Sequence, residues 1–188
     1  MEKSKSYGMN TKALHANKKF EPISGDIMPP LHLSTTYKND IPGESEYFYG
    51  RVNNPTRELF ERTLASLEGI ENYEEIHALA MASGMSAVSL IAELVKPGEN
   101  VVITKDVYGG TTNYFSKIVT ERGIEVNFCD FSDTEKLKSL LNDKTKLAWI
   151  ESPSNPSINL YDLSETAEIV HENGTFLVAD STFSTPFI

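Results

Sequence analysis

Four short strand-like runs, 100–104, 124–130, 146–151 and 175–180, alternate with segments of helical length, and the last is almost wholly apolar up to Asp180. Runs this short that are apolar on both alternate positions suit strands covered on both faces, which is the pattern of a parallel sheet. Antiparallel strands can be joined by two residues, whereas parallel neighbours need a crossover, and the intervening segments have the length of crossover helices. The arrangement therefore predicts βαβ units and an α/β fold with a mostly parallel sheet.

The punctuation agrees. Asn54 with Pro55 predicts a helix start, Leu59, Thr63, Leu64 and Leu67 form one face, and Gly69 closes it. Further helices are predicted over 85–95, ended by Lys96-Pro97-Gly98, over 112–122 before Gly123, and over 162–173 before Gly174. Ser132-Asp133-Thr134-Glu135 has the form of a capping box and predicts a helix to about 141. A short strand-like run is expected at 76–80. Residues 1–54 show no sustained periodicity and, with Pro55, include five of the nine prolines, so they read as an extended arm rather than a packed layer.

The chain of 188 residues carries 17 basic and 27 acidic side chains, a net charge of −10, which argues against a nucleic-acid surface. The most span-like stretch, 78–95, contains Ser83, Gly84, Ser86, Ser89 and Glu93, so a bilayer reading is poor and no membrane partner is expected. A single cysteine, Cys129, cannot form an internal disulfide and fits a reducing compartment; its place in a strand-like run marks it as a small core residue. The first 20 residues lack an apolar signal core, and a cytoplasmic location is expected.

Polar residues collect where the predicted strands end. Ser83-Gly84-Met85-Ser86 opens a helix, where free N–H groups attract anions; a plain structural turn is the alternative. Arg51 offers a planar fork suited to phosphate and Tyr49 a hydroxyl on a rigid ring; without other motifs Arg51 is a surface arginine before a capped helix. Tyr108, followed by Gly109-Gly110, can stack on a ligand ring and move protons, or be an ordinary turn tyrosine. In Glu151-Ser152-Pro153-Ser154-Asn155-Pro156 the prolines fix a loop from which Asn155 can present its amide. Asp180 ends the last strand, with Ser181-Thr182 after it. A carboxylate there suits a cationic ring nitrogen, or caps a turn.

Taken together and in order, Tyr49-Gly-Arg51-x-x-Asn-Pro-Thr56, Ala82-Ser-Gly-Met85, Asp106-Val-Tyr-Gly-Gly-Thr111, Glu151-Ser-Pro-Ser-Asn-Pro156 and Val178-Ala-Asp-Ser-Thr182 resemble the Cys/Met-metabolism family of pyridoxal-phosphate enzymes. That family includes the cystathionine γ-synthases, the cystathionine γ- and β-lyases, the methionine γ-lyases and the O-acylhomoserine sulfhydrylases. The resemblance runs from about residue 11 to the last one. It implies the three-layer large domain of the fold-type-I pyridoxal-phosphate enzymes, truncated, with an extended N-terminal arm. The expected division is 1–54 as a subunit-contacting arm and 55–188 as a partial cofactor-binding domain, with the C-terminal domain absent.

The resemblance also implies roles. Gly84 and Met85 would donate backbone N–H groups to the phosphate of pyridoxal 5'-phosphate, and Tyr49 and Arg51 would reach the phosphate in the adjacent subunit's site. Tyr108 would stack on the ring and handle protons, Asn155 would touch the 3-oxygen side, Asp180 the ring nitrogen, and Thr182 would lie close by. The family's Schiff-base lysine falls well beyond Asp180, so the chain is expected to be the N-terminal portion of such an enzyme and inactive alone. Expected partners are a sulfur amino acid substrate and a second copy of the chain, as a homotetramer, or a complementing chain. Gly110, where methionine γ-lyases carry cysteine, lowers that option; Asn113 leans towards the sulfhydrylases; and Ser181 stands where asparagine is usual. The rival expectation is a non-catalytic subunit that completes a full-length partner's site.

Overall fold

A computed structural model describes residues 8–15, 25–41, 43–70 and 77–187. The chain divides into two compact units, Met1–Ala80 and Met81–Pro186.

In the first unit, helix α1 (Met9–His15) is an element that sequence periodicity does not announce; none of its residues is buried. Helix α2 (Pro55–Leu67) starts where expected. The Asn54 side chain accepts from the N–H groups of Thr56 (2.9 Å) and Arg57 (3.3 Å), satisfying two of the orphan donors of the first turn. The segment before α2 is held by an antiparallel bridge between Thr36 and Tyr49 and by Gly50 N–H donating to Thr35 O at 2.8 Å. The expected run at 76–80 falls partly outside the described residues, and 77–80 form no strand.

The second unit is an α/β layer structure. Strands β1 (Asn100–Thr104), β2 (Glu125–Cys129), β3 (Thr145–Glu151) and β4 (Phe176–Asp180) pair in the order β2-β1-β3-β4, all parallel. Strand side chains alternate between faces, and here the alternation builds two separate cores. Val101, Ile103, Leu147 and Trp149 point to one face, where Val88, Ala92, Phe115 and Val119 cover them. Val102, Ala148 and Ile150 point to the other, where Leu137, Ile169 and Val170 cover them. The covering residues belong to α3 (Gly84–Ala92) and the helical stretch 109–122 on the first face, and to α5 (Thr134–Leu140) and α6 (Leu163–Glu172) on the second. Most of these side chains are fully buried, and each contributes about 1.5–3 kcal/mol relative to exposure.

Three local expectations are corrected. The helix expected over 112–122 begins earlier, as α4 (Gly109–Asn113), and continues through a π-helical turn (Tyr114–Val119) and a 3-10 turn (Thr120–Arg122). It still ends at Gly123, whose φ of +77° needs a residue without Cβ strain. Ser132 does not cap α5: Asp133 does, accepting from Lys136 N–H at 3.0 Å. The Ser132 hydroxyl donates instead to Asp130 at 2.6 Å, a short Asx-type turn that outcompetes the capping box. Finally, the apolar β4 is not buried on both faces, since Phe176 is 55% exposed. Among the described residues β4 pairs only with β3, and a strand at a sheet edge lacks one flank of neighbours.

Candidate active site

The topology opens a crevice. The chain leaves β1 into α4 on the first face, and leaves β3 into α6 on the second, so the two loops diverge at the carboxyl ends of adjacent strands. Ligands of open α/β sheets bind at such a switch point. Here it is a cleft of about 340 Å³, lined by Ser83, Gly84, Met85, Tyr108, Glu151, Asn155, Asp180 and Thr182, together with Val88, Thr111 and Phe183. Of the site residues expected from sequence, Gly84, Met85, Tyr108, Asn155, Asp180 and Thr182 thus converge in one place.

One wall is the N-terminus of α3. Ser83 is its N-cap, and its hydroxyl accepts from Ser86 N–H at 3.2 Å. The N–H groups of Gly84 and Met85 take no partner among the described residues, and a Cβ at Gly84 would point into open space. Two free donors at the positive end of a helix suit an anion.

Tyr108 ends the loop after β1 and its ring is half-exposed. The ring and the Met85 thioether both lie against Gly110: a Cβ there would collide with Tyr108 Cε1 and stand 2.9 Å from Met85 Sδ. The absence of a side chain at 110 therefore sets where the Tyr108 ring rests. Thr111, wholly buried, also lines the cleft, and its hydroxyl takes no hydrogen bond among the described residues.

Two carboxylates stand at the floor. Asp180 Oδ1 accepts from the Thr182 hydroxyl (2.6 Å) and N–H (3.1 Å), while Oδ2 takes no partner among the described residues. Glu151, 4% exposed, accepts from Asn155 N–H through Oε1 and from Tyr108 N–H through Oε2, both at 2.8 Å. Burial raises its pKa above the usual glutamate value; the nearby Asp180 charge adds to this, and the two N–H donors oppose it. Sequence reading missed Glu151 and Thr111 as parts of the site. A carboxylate at the end of an apolar strand was the available signal for Glu151, the same one that marked Asp180.

Tyr49 and Arg51 belong to the first unit, where the exposed Arg51 guanidinium lies over the Tyr49 ring, 4.7 Å from its centroid. Cys129 is buried, as expected of a small core residue. Among the described residues no cluster of His, Cys, Asp and Glu could hold a metal, and no helix is long and apolar enough to cross a membrane.

An α/β crevice that offers anion-binding N–H donors, a stacking aromatic and a strand-end carboxylate has the make-up of a site for a phosphorylated cationic ring. The profile of the Cys/Met metabolism PLP-dependent enzyme family matches residues 10–188, and the chain belongs to that family, whose cofactor is pyridoxal 5'-phosphate. It is 40% identical over 187 residues to a cystathionine beta-lyase of Coxiella burnetii, covering 98% of this chain and 47% of the relative. To the cystathionine gamma-lyase of Mus musculus it is 39% identical over 180 residues, covering 94% and 44%. Among solved structures it superimposes on metB from Corynebacterium glutamicum with a TM-score of 0.89 at 34% identity, over 97% of this chain and 47% of that one. With CalE6, a cystathione gamma lyase from Micromonospora echinospora, the TM-score is 0.87 at 36% identity, over 96% and 47%. The chain thus spans about half the length of the relatives it matches.

The residues fit the cofactor. The unpartnered donors of Gly84 and Met85, the orphaned Thr111 hydroxyl and the uncommitted Asp180 oxygen are polar groups facing one cleft that a phosphorylated, hydroxylated pyridine can satisfy.

Proposed function

We propose that these residues carry the cofactor-binding part of a PLP-dependent enzyme that cleaves or replaces carbon–sulfur or activated-homoserine bonds in cystathionine-type amino acids. The observation that supports it most is the convergence of Tyr108, Asn155, Asp180 and the α3 N-terminus on one cleft. When bound, the cofactor supplies an electron sink that stabilises a carbanion at the substrate's Cα. In this reading Gly84 and Met85 hold the phosphate through N–H groups. Asp180 Oδ2 keeps a proton on the ring nitrogen, and Thr182 fixes the rotamer by engaging Oδ1. Tyr108 covers the ring, excludes water from one face and moves protons through its hydroxyl. Asn155 orients the ring through its amide.

The cofactor's two ends give the test. Pyridoxal 5'-phosphate titrated into the chain should quench Trp149 fluorescence saturably, and pyridoxal, which lacks the phosphate, should bind at least about tenfold more weakly. Equal affinity for the two would remove the phosphate site from the proposal.

A second reading, a subunit that lends its arm to a partner's site, is favoured by the exposed Arg51, pre-oriented on Tyr49. Restoration of activity to a full-length homologue whose own arm residues are mutated would support it.

A further inference from the structure

We propose that Glu151 is a positioning residue that fixes Tyr108 and Asn155 in register across the cleft while leaving the ligand to Asp180. The use of this latch rests on the cofactor reading above; the latch itself does not.

Glu151 ends β3 and is the register partner of Asp180 on β4, so two carboxylates sit side by side at the cleft floor. They are committed differently. Both Glu151 oxygens are occupied by backbone donors from separate loops, Tyr108 N–H and Asn155 N–H, each at 2.8 Å. Asp180 spends one oxygen on Thr182 and keeps the other uncommitted. A carboxylate that is 4% exposed is costly to bury unless it is satisfied, and these two donors are what satisfy it.

Only a carboxylate of this length meets the requirement. Glutamine keeps the shape but turns one acceptor into an NH2 donor facing an N–H. Aspartate keeps the charge but, one methylene shorter, cannot reach both loops.

A second tether shows that the loops are built to be tied. Asp106, in the loop after β1, accepts from the loop after β3 through the Ser154 hydroxyl (2.6 Å), Asn159 Nδ2 (2.6 Å) and the Ser157 hydroxyl (3.3 Å). Asp106 thus holds Ser154, Ser157 and Asn159 of the second loop to the first, and Glu151 holds the N–H groups of Tyr108 and Asn155.

The test reads the two amides in the whole chain without cofactor. Hydrogen-bond scalar couplings from the Tyr108 and Asn155 amides to the Glu151 carboxyl carbon should be measurable by NMR in the wild-type chain. Glu151→Gln should speed exchange of both amides by about tenfold or more, with Val102 and Ala148 amides unchanged. Glu151→Asp, the fallback should the glutamine variant not fold, should release one of the two. Absent couplings, unchanged amides in the variants, or protection lost equally across β1 and β3 would overturn the proposal. With cofactor added, the glutamine variant should bind about tenfold more weakly and lose visible circular dichroism from the held ring. If the wild-type chain binds no cofactor while its amides behave as stated, the cofactor reading falls and the latch stands.

Discussion

Glu151 and Asp180 face each other as register partners at the carboxyl ends of β3 and β4, and both line the same cleft. Like charges placed so close oppose each other's ionisation, and the raised pKa of Glu151 reflects burial first and the Asp180 charge in addition.

Replacing Asp180 by Asn separates these effects. The glutamate pKa should fall towards its ordinary value, because a neighbouring negative charge is removed while burial is unchanged; a carboxyl-carbon NMR titration reads it. The same variant should weaken cofactor binding about 10–100-fold, the worth of a hydrogen bond to a charged group. Unchanged affinity would mean that Asp180 does not meet the ring.

Gly110→Ala adds a Cβ that collides with the Tyr108 ring and crowds Met85 Sδ at 2.9 Å. Because the ring is half-exposed, it can swing aside, so stability should change by no more than about 1 kcal/mol. The cofactor's visible dichroism should nevertheless fall, and retention of the wild-type signal would show that the ring's position does not matter.

Leu137 of α5 is wholly buried in the second core layer. Truncation to Ala should cost about 2–5 kcal/mol in urea unfolding. A loss below 1 kcal/mol would indicate that α5 does not pack as described.

Acid should weaken the turn after β2. The Ser132 hydroxyl, which donates to Asp130, and Lys105, which pairs with Asp130 at 2.9 Å, bring the Asp130 pKa down to about 2. A carboxylate depressed in the folded state contributes stability that is complete above its unfolded pKa and is lost as pH falls through the folded one. That window runs from the ordinary value of 3.8 down to about 2. Ser132→Ala should move the NMR-observed midpoint of Asp130 upward.

Cys129 is buried, and that burial pushes its thiol pKa up to about 11. At pH 8 it should react with a disulfide reagent only in denaturant, since the thiolate is the nucleophile. Rapid labelling of the native protein would contradict the placement of β2.

The strands were legible in sequence because their signal is local. The 100–104 run coincides with β1, and Asn54 through its side-chain cap and Gly123 through its positive φ bound their helices by local effects that do not depend on tertiary context. The carboxyl-end placement of Tyr108, Asn155 and Asp180 follows from the same alternation. What stayed hidden depends on partners distant in the chain. Glu151 acts through donors 4 and 43 residues away, and the latter cannot be inferred from spacing. The π-helical turn at Tyr114–Val119 has no compositional mark. Whether Ser132 or Asp133 capped α5 turned on competition for Asp130, a neighbour outside the capping motif. For β4, apolar composition states what a strand can bury and not what lies beside it.

The divergence of the chain after β1 and β3 has a consequence for how this protein can change over time. The two loops each send a side chain to a core layer, Val107 into the first and Tyr161 against the second, and are bound to each other through Asp106 and Glu151. They form one heritable cassette. Substitutions within it must be compensated across the crevice, whereas the apolar core positions of the strands beneath best tolerate apolar exchanges that preserve volume.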